Sequence, residues 1–434
     1  MTPKGISSKS IGIFRQFFAT ACLGPLTYGA DMGWSSPVLP RLESLGLTVN
    51  ESSWIGAMLA IGVFITAIPS GYLADRFGVK SCTIASAVTT LIATVIMFLT
   101  SNFYWLCVAR FLAGVTIGGV SVVGPMYISE ISDVEQRGTL GSFFELMIYL
   151  GVFLVTVCGA YVKYFVLNLI VGILTLTTVI IVVFLPESPT YLMSLGKQSD
   201  AEMVFKFYRG CNIHADNLLR DARGDIGKTS RKHLGIGKSL YSKGTTRGFI
   251  ACIGLSIFQQ LSGVDTFVLY SVPIFEMSDS DIDAYTSGIV IAAVQMCASG
   301  VAVFIVERVR RRLLLFISTI GSGLSLALLG AYFHMETNNV SLPGFNAVPV
   351  VSFAAFSLSY AVGLGPVLWM ICGELFSEEI KVGKIFPVAA TSLGPHYTFY
   401  FFAVCMVACI VFIKFCIPET KDKTLEEIQR ELNA

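Results

Sequence analysis

Long apolar stretches constrain this chain more than any other feature. Eleven stretches of roughly 20 residues or more, the length that crosses the ~30 Å hydrocarbon core of a bilayer as a helix, recur along its 434 residues. Only 14% of the residues are charged and 54% are hydrophobic, unlike a soluble domain. The sequence therefore predicts an all-α membrane protein. The predicted spans are residues 14–35, 54–74, 81–100, 103–125, 140–161, 164–185, 248–275, 284–306, 313–333, 346–372 and 395–416.

Basic residues predict the orientation of these spans. The N-terminus, the central loop and alternate short loops carry most of the 30 Lys and Arg residues, whereas the opposite loops carry only Arg41 and Lys163. Positively charged loops remain in the cytosol, so we expect a cytosolic N-terminus. The sequons at Asn50 and Asn339 then lie on the outer side, where glycosylation requires them.

The composition gives little reason to expect other partners. The formal net charge of +1 indicates nothing about partners, and we expect no nucleic acid. The four His residues show no metal-ligand spacing, and most of the 11 Cys residues lie inside predicted spans as small apolar side chains. No nucleophile–base constellation appears, so we expect no enzyme activity, no cofactor and no metal.

Charged motifs recur in the same order in two parts of the chain. Asp75 and Arg76 follow the second span, and Glu307 follows the eighth. Seven residues separate Glu130 from Arg137, and seven also separate Glu374 from Lys381. A PES motif at 186–188 matches a PET motif at 418–420. These repeats predict two homologous halves, as in many transporters.

The seventh span contains the polar stretch QQLSGVDTFVLYSVPIF, residues 259–275. Polar groups at membrane depth usually line a substrate path, and Gln259 and Gln260 each offer two donors and one acceptor to a sugar. Gly263 and Pro273 weaken the helix where its backbone could meet a ligand. The alternative is that these side chains only join packed helices.

Two charged residues lie inside other predicted spans. Asp31 lies near the outer half of the first span, and Arg110 lies in the fourth. Buried charges are tolerated mainly when paired, so we expect an Asp31–Arg110 pair. The pair is either a static structural element or part of a cavity.

The chain resembles the sugar porters of the major facilitator superfamily, and among them the insect facilitated trehalose and glucose transporters. The matching pieces are GYLADRFGVK, ARFLAGVTIGG, PMYISEISDVEQRGTLGSFFE, PESPTYLMSLGK, QQLSGVDTFVLYS, FIVERVRRR, GLGPVLWMICGELF and PETKDKTLEEI. The resemblance implies two pseudo-symmetric six-helix bundles that rock around a central sugar site. We expect an N-terminal half at 1–185, a cytosolic loop with short helices at 186–247, a C-terminal half at 248–417 and a tail at 418–434.

The resemblance also implies roles for individual residues. Gln259 and Gln260 would bond the sugar, Trp369 would stack beneath it, and Gly365 and Pro366 would let the tenth span flex. Gln295 and Tyr270 complete the expected substrate set with Glu145 and Asp265. The expected cytosolic gate consists of Asp75, Arg76, Glu130, Arg137, Glu307, Arg311, Arg312, Glu374 and Lys381.

Several residues depart from the family pattern. Glu145 and Asp265 replace a Gln and an Asn, so each exchanges an amide for a group that only accepts when ionised. Burial favours a protonated carboxyl, which could donate instead. Asp31 matches the coupling acid of proton-coupled members, so proton symport with Arg110 as its partner is an alternative to facilitative uniport of glucose, another hexose or trehalose. In the second gate motif, Arg310 replaces a Gly that tolerates a left-handed turn.

The sequence contains no counterpart of the eleventh of the family's twelve spans. Between Lys384 and Gly394 lie nine residues, which reach about 13 Å as a helix against a core of ~30 Å. A truncated isoform that does not transport, or a sugar sensor, is therefore a further alternative. We otherwise expect a plasma-membrane sugar transporter with sugar and membrane lipid as its partners; the sequence does not indicate its oligomeric state.

Overall fold

The computed structural model describes residues 8–132, 136–209, 243–276, 283–306, 308–338, 347–367 and 395–417. These residues form helices joined by short connections, without a β-strand in any of the described segments. The helices are α1 (Ser8–Cys22), α2 (Pro25–Gly33), α3 (Ser35–Ser44), α4 (Val49–Phe77), α5 (Val79–Leu99), α6 (Phe103–Ile131), α7 (Arg137–Tyr161), α8 (Tyr164–Phe184), α9 (Pro189–Ser194), α10 (Gln198–Arg209), α11 (Lys243–Gln260), α12 (Val264–Glu276), α13 (Ala284–Ile305), α14 (Arg311–Thr337), α15 (Val348–Val362) and α16 (Pro395–Cys416).

Nine helices in the described segments are long and apolar enough to cross a membrane: α4 to α8 and α13 to α16. Their outer surfaces expose large apolar side chains, among them Phe64, Ile173, Leu324 and Val404. Such a surface suits lipid contact, because lipid tails replace the water that a soluble protein would meet. The chain is therefore a multi-pass membrane protein, as its composition predicts.

The first span is broken into the three pieces α1, α2 and α3, which the sequence pattern did not predict. Gly24 takes a left-handed conformation with φ +97°, and Pro25 begins α2. Glycine adopts this conformation without steric cost, and proline suits the first helical position because its missing N–H would be unpaired there. The break changes the direction of the span just before the segment that holds Asp31.

The seventh span is broken at the position that the sequence predicts. Gly263 has φ +79° between α11 and α12, and a Cβ there would lie 2.8 Å from the Phe402 ring. A second irregularity is at Tyr270, whose φ of −127° and ψ of 22° interrupt α12 three residues before Pro273. A proline inside a helix removes one backbone hydrogen bond, so the bend at this point has a clear cause.

Small residues allow close packing inside the N-terminal half. A methyl group on Gly62 of α4 would overlap with the main-chain carbonyl of Phe111, and one on Gly114 of α6 would overlap with that of Leu59. Gly29 of α2 lies in the same way against the Ile148 carbonyl of α7. Small residues at these positions therefore let the helices approach closely.

Aromatic side chains fill much of the C-terminal half. The Phe267 ring contacts Phe353 edge-on at a centroid distance of 4.4 Å, and it stacks on Phe399 at 5.9 Å. Phe399 in turn stacks on Phe333 at 5.4 Å. These contacts join α12, α14, α15 and α16 into one apolar core.

In the described residues, the two halves meet mainly between α7 and α13 and between α3 and α12. We call the face that carries α9 and α10 the inner face and the opposite face the outer face, following the predicted orientation. The contact between α3 and α12 then lies toward the outer face. The space between the halves is thus bordered by the broken first and seventh spans.

The first part of the central loop forms the short helices α9 and α10, as predicted. Tyr208 of α10 accepts a hydrogen bond from the Gln16 Nε2 through its carbonyl at 3.0 Å, and its hydroxyl shares one of 3.0 Å with Tyr127. Burial raises the pKa of Tyr208 to about 12, so this hydroxyl remains protonated at neutral pH. These bonds fasten α10 to α1 and α6.

Candidate substrate cavity

A cavity lies between the two halves, where the first and seventh spans are broken. About 450 Å³ between its lining residues is not filled by protein atoms, and this figure includes space that is open to the surface. The cavity is lined by Tyr28 and Met32 of α2, Glu145, Ile148 and Tyr149 of α7, Gln259 and Gln260 of α11, Val264, Asp265 and Val268 of α12, and Tyr360 of α15.

The adjacent amides Gln259 and Gln260 end α11 at this cavity. Gln259 Nε2 donates a hydrogen bond of 2.7 Å to the Tyr360 hydroxyl. Gln260 is only 6% exposed, and its Oε1 has no hydrogen-bond partner among the described residues. A buried acceptor without a partner costs free energy, so Gln260 is prepared to accept a hydrogen bond from a ligand.

Two carboxyl groups, of Glu145 and Asp265, line the same cavity. Glu145 is 3% exposed and is hydrogen-bonded by Tyr149, which also hydrogen-bonds Gln295. Glu145 Oε2 has no partner in the described segments. Gln295 does not line the cavity itself, but through Tyr149 it links α13 of one half to the carboxyl of the other.

The outer end of the cavity is closed by contacts between α3 and α12. The hydroxyls of Ser36 and Ser271 share a hydrogen bond of 2.6 Å, and Ser36 Oγ also accepts one of 3.2 Å from the Val272 N–H. Tyr270 directs its hydroxyl at Gly56 of α4, where an added Cβ would overlap with it. The structure therefore places Tyr270, which we predict to bind substrate, at the outer contact and not in the cavity lining.

Asp31 and Arg110 lie together, but not as the side-chain ion pair that we predict. Both are fully buried. Arg110 Nη1 donates to the main-chain carbonyl of Asp31 at 2.7 Å and Nη2 to Ser35 Oγ at 2.6 Å, and the guanidinium lies 4.8 Å from the centre of the Trp34 ring. The broken first span turns this carbonyl toward Arg110.

The Asp31 carboxyl contacts a different group. Its Oδ2 accepts a hydrogen bond of 2.8 Å from Thr90, whose hydroxyl is also 2.8 Å from that of Thr116. Its Oδ1 has no partner among the described residues. Asp31 is not among the residues that line the cavity.

The cytosolic charge motif of the first half is built around the PES segment. The Ser188 hydroxyl donates to the Glu130 carboxylate, and Glu187 Oε1 accepts from the N–H groups of Lys80 and Ser188 at 3.1 and 2.9 Å. Gly78 takes φ +90°, and a Cβ there would lie 2.6 Å from Glu187. Asp75 and Arg76 end α4 beside this cluster with exposed side chains.

The corresponding turn in the second half has another shape. Arg311 and Arg312 begin α14, and Arg312 donates to the Lys414 carbonyl at the end of α16. Arg310, at the position that corresponds to Gly78, has φ −62° and ψ 129°. This extended conformation is open to any residue, so the left-handed strain that we expect at Arg310 does not arise.

Gly365 and Pro366 are buried where the chain continues beyond α15, and the exposed Asn50 lies in the first turn of α4. Several predicted features fall outside the described residues: Trp369, Glu307, Glu374, Lys381, Asn339, the side chain of Arg137 and the region of the missing span. Their roles stay predictions.

The cavity contains residues that the sequence did not single out, above all Tyr28, Tyr149 and Tyr360. Tyr149 follows Glu145 by four residues and so shares its helix face, a signal that could have indicated it. Tyr360 lies five residues before Gly365 in the tenth span. Its contact with Gln259 depends on how α11 packs beside α15, which no local pattern records.

The sequence of the chain is similar to those of known proteins. The model of the family "Sugar (and other) transporter" matches residues 10–382 and 380–432. The facilitated trehalose transporter Tret1 of Bombyx mori is 26% identical over 100% of this chain and 90% of its own length, and Tret1 of Drosophila grimshawi is 26% identical over 98% of this chain and 48% of its own length.

Solved structures give the same fold. The proton:xylose symporter XylE bound to 6-bromo-6-deoxy-D-glucose superimposes with a TM-score of 0.81 at 22% identity, covering 98% of this chain and 100% of that one. The fold is therefore that of the major facilitator superfamily, as the resemblance of the motifs implies. With a family model that matches nearly every residue, the chain belongs to the family of sugar (and other) transporters.

Proposed function

We propose that the protein is a facilitative uniporter that carries a hexose or trehalose across the plasma membrane by alternating access, with its N-terminus in the cytosol. The named relatives are transporters of trehalose, which supports transport over enzyme catalysis. A uniporter moves its substrate down the gradient and needs no coupling ion.

The observation that carries this proposal is the pair Gln259 and Gln260 at a cavity between the halves. Gln259 is held in place by the Tyr360 hydroxyl, while Gln260 presents a buried Oε1 without a partner in the described part of the chain. A sugar hydroxyl supplies the missing donor, and amide N–H groups can in turn donate to sugar oxygens. Tyr28 and Tyr149 line the same cavity and offer aromatic and hydroxyl contacts to the sugar.

The broken spans give the site a way to open. The contact between Ser36 and Ser271 closes the outer end, and Gly24 and Gly263 interrupt the same two spans next to the cavity. Rotation at these glycines changes the angle of the outer segments without unfolding the long helices. Substrate must bind the two states with different free energies for the equilibrium between them to shift.

The proposal is tested by uptake of radiolabelled glucose and trehalose in oocytes. Gln260→Ala should lose most of the uptake, because it removes the unpartnered acceptor, while surface expression remains normal. Gln198→Ala, at an exposed position of α10, is the matched control and should transport as the wild type does. Normal uptake by Gln260→Ala would sink the assignment of this cavity as the sugar site.

A second candidate, proton symport, is favoured by the environment of Asp31. This acid is fully buried, and its Oδ1 has no partner among the described residues. A proton that binds Asp31 would alter its contacts with Thr90 and Arg110 and so couple to movement of the first span. Sugar uptake should then rise when the external medium is acidified, and Asp31→Asn should abolish that rise. Asp200→Asn on α10 should leave it unchanged.

A further inference from the structure

We propose that the cavity selects a sugar with a protonated amino group, such as a 2-amino-2-deoxyhexose, over its neutral counterpart. This inference rests on the proposed transport function and specifies its substrate class. It depends on Glu145 and Asp265, which replace the Gln and the Asn of the family pattern.

The lining of the cavity is rich in acceptors and contains two carboxyl groups. Glu145 and Asp265 both contribute carboxyl groups, and none of the eleven lining residues in the described part of the chain is basic. Glu145 Oε2 and Gln260 Oε1 are both buried without a partner among the described residues. Two unsatisfied acceptors in one cavity require donors, and a ligand can supply them.

Arg110, a buried cation beside the first span, already has partners within the protein. Arg110 donates to the Asp31 carbonyl and to Ser35 and lies against Trp34. It is not part of the cavity lining. The charge of Glu145 is therefore not neutralised by a basic side chain of the described lining.

A carboxylate buried in a protein is costly unless it meets a cation or takes up a proton. A protonated amine supplies one positive charge and three N–H donors. Hydrogen bonds between charged groups are shorter and stronger than those between neutral groups. An amino sugar thus satisfies the charge of Glu145 and the free acceptors in a single step, while Gln259 and Gln260 bond its hydroxyls.

The position of Glu145 makes this interaction specific. Its carboxyl packs against Gly365 of the tenth span, where any Cβ would overlap with Oε1, and Tyr149 hydrogen-bonds it from the same helix. The carboxyl therefore lies between the two halves, at the cavity. A cation bound there would contact both halves of the transporter.

The competing outcome is that Glu145 takes up a proton and donates a hydrogen bond, as the family's amide would. The cavity would then accept neutral sugars and show no preference for an amine. The two outcomes differ in substrate and in current, since an amino sugar carries its own positive charge across the membrane.

The test measures uptake of radiolabelled glucose in oocytes against unlabelled glucosamine, glucose and N-acetylglucosamine, together with membrane current. We expect glucosamine to compete about tenfold better than glucose in the wild type and to produce an inward current. N-acetylglucosamine, which is neutral, should produce none. Glu145→Gln should lose the preference, so that glucosamine and glucose compete equally for the remaining glucose uptake, and Asp265→Asn reports separately on the second acid.

Equal competition by glucosamine and glucose in the wild type, with no current, would overturn the inference while leaving the sugar transporter intact. A Glu145→Gln variant that retains the preference would also overturn the assigned role of this residue. Absence of uptake of every sugar by the wild-type chain, with normal surface labelling, would contradict the proposed transport function itself.

Discussion

The Glu145 carboxyl of the N-terminal half lies directly against Gly365 of the C-terminal half. A methyl group on Gly365 would overlap with Glu145 Oε1, so the carboxyl occupies the space that the missing side chain leaves. This contact joins the cavity wall on α7 to the end of the tenth span. Any movement of one half past the other changes it.

We expect Gly365→Ala to reduce sugar uptake strongly, because its methyl group displaces the Glu145 carboxyl from the cavity. Uptake and surface labelling in oocytes measure the effect. Gly71→Ala is the matched control: a Cβ there meets only the Val122 side chain at 3.9 Å. If both variants transport equally well, Glu145 does not depend on the close approach of Gly365.

The Ser36–Ser271 contact predicts a cross-link that locks the outer end. The two oxygens are 2.6 Å apart, close to the S–S length of about 2 Å, so Ser36→Cys with Ser271→Cys should form a disulfide under oxidation. We expect oxidation to stop uptake and a reductant to restore it. Each single Cys variant should be insensitive to the oxidant, and a double variant that transports under oxidation would show that this end need not open.

The contact between α4 and α6 predicts a stability effect away from the cavity. Gly114→Leu would place a side chain onto the Leu59 carbonyl, and overpacking of this kind typically costs about 1–3 kcal/mol. The melting temperature of the detergent-purified protein should fall. Gly300→Ala, whose Cβ would meet only Leu146 at 3.8 Å, should change it little.

The match to the family model restarts at residue 380, two residues before its first stretch ends. This break falls beside the nine residues that replace the expected eleventh span. If that span is needed, inserting a family-like segment between Lys384 and Ile385 should raise uptake well above that of the present chain at equal surface expression. Equal uptake by both chains would show that eleven spans suffice.

The sequence predicts the fold through features that act locally. Apolar length predicts the spans, and Gly263 with Pro273 predicts the break in the seventh one, since glycine and proline weaken a helix wherever they occur. Gly24 and Pro25 carry the same signal in the first span. They do not by themselves predict a break in the first span, because glycine and proline are also tolerated in membrane helices when neighbours satisfy the backbone.

The site was predicted in part, because side-chain direction depends on tertiary packing. Gln259, Gln260, Asp265 and Glu145 meet at one cavity, as the resemblance implies. Tyr270 does not join them, since the irregular backbone at this residue and the closure against Gly56 send its hydroxyl to the outer contact. Arg110 reaches the main chain of Asp31 because the broken first span presents a carbonyl that an unbroken helix would keep for itself.

The docking of α10 on α1 and α6 changes where the connection between the halves begins. Hydrogen bonds with Gln16 and Tyr127 hold α10 on the N-terminal half. At the end of α10, the Arg209 guanidinium donates a hydrogen bond of 2.8 Å to the Ser132 carbonyl near the end of α6. In a rocking transporter, α9 and α10 move together with the N-terminal half. The connection between the two halves therefore begins only after Arg209, and substitutions in α9 or α10 should disturb the N-terminal half itself.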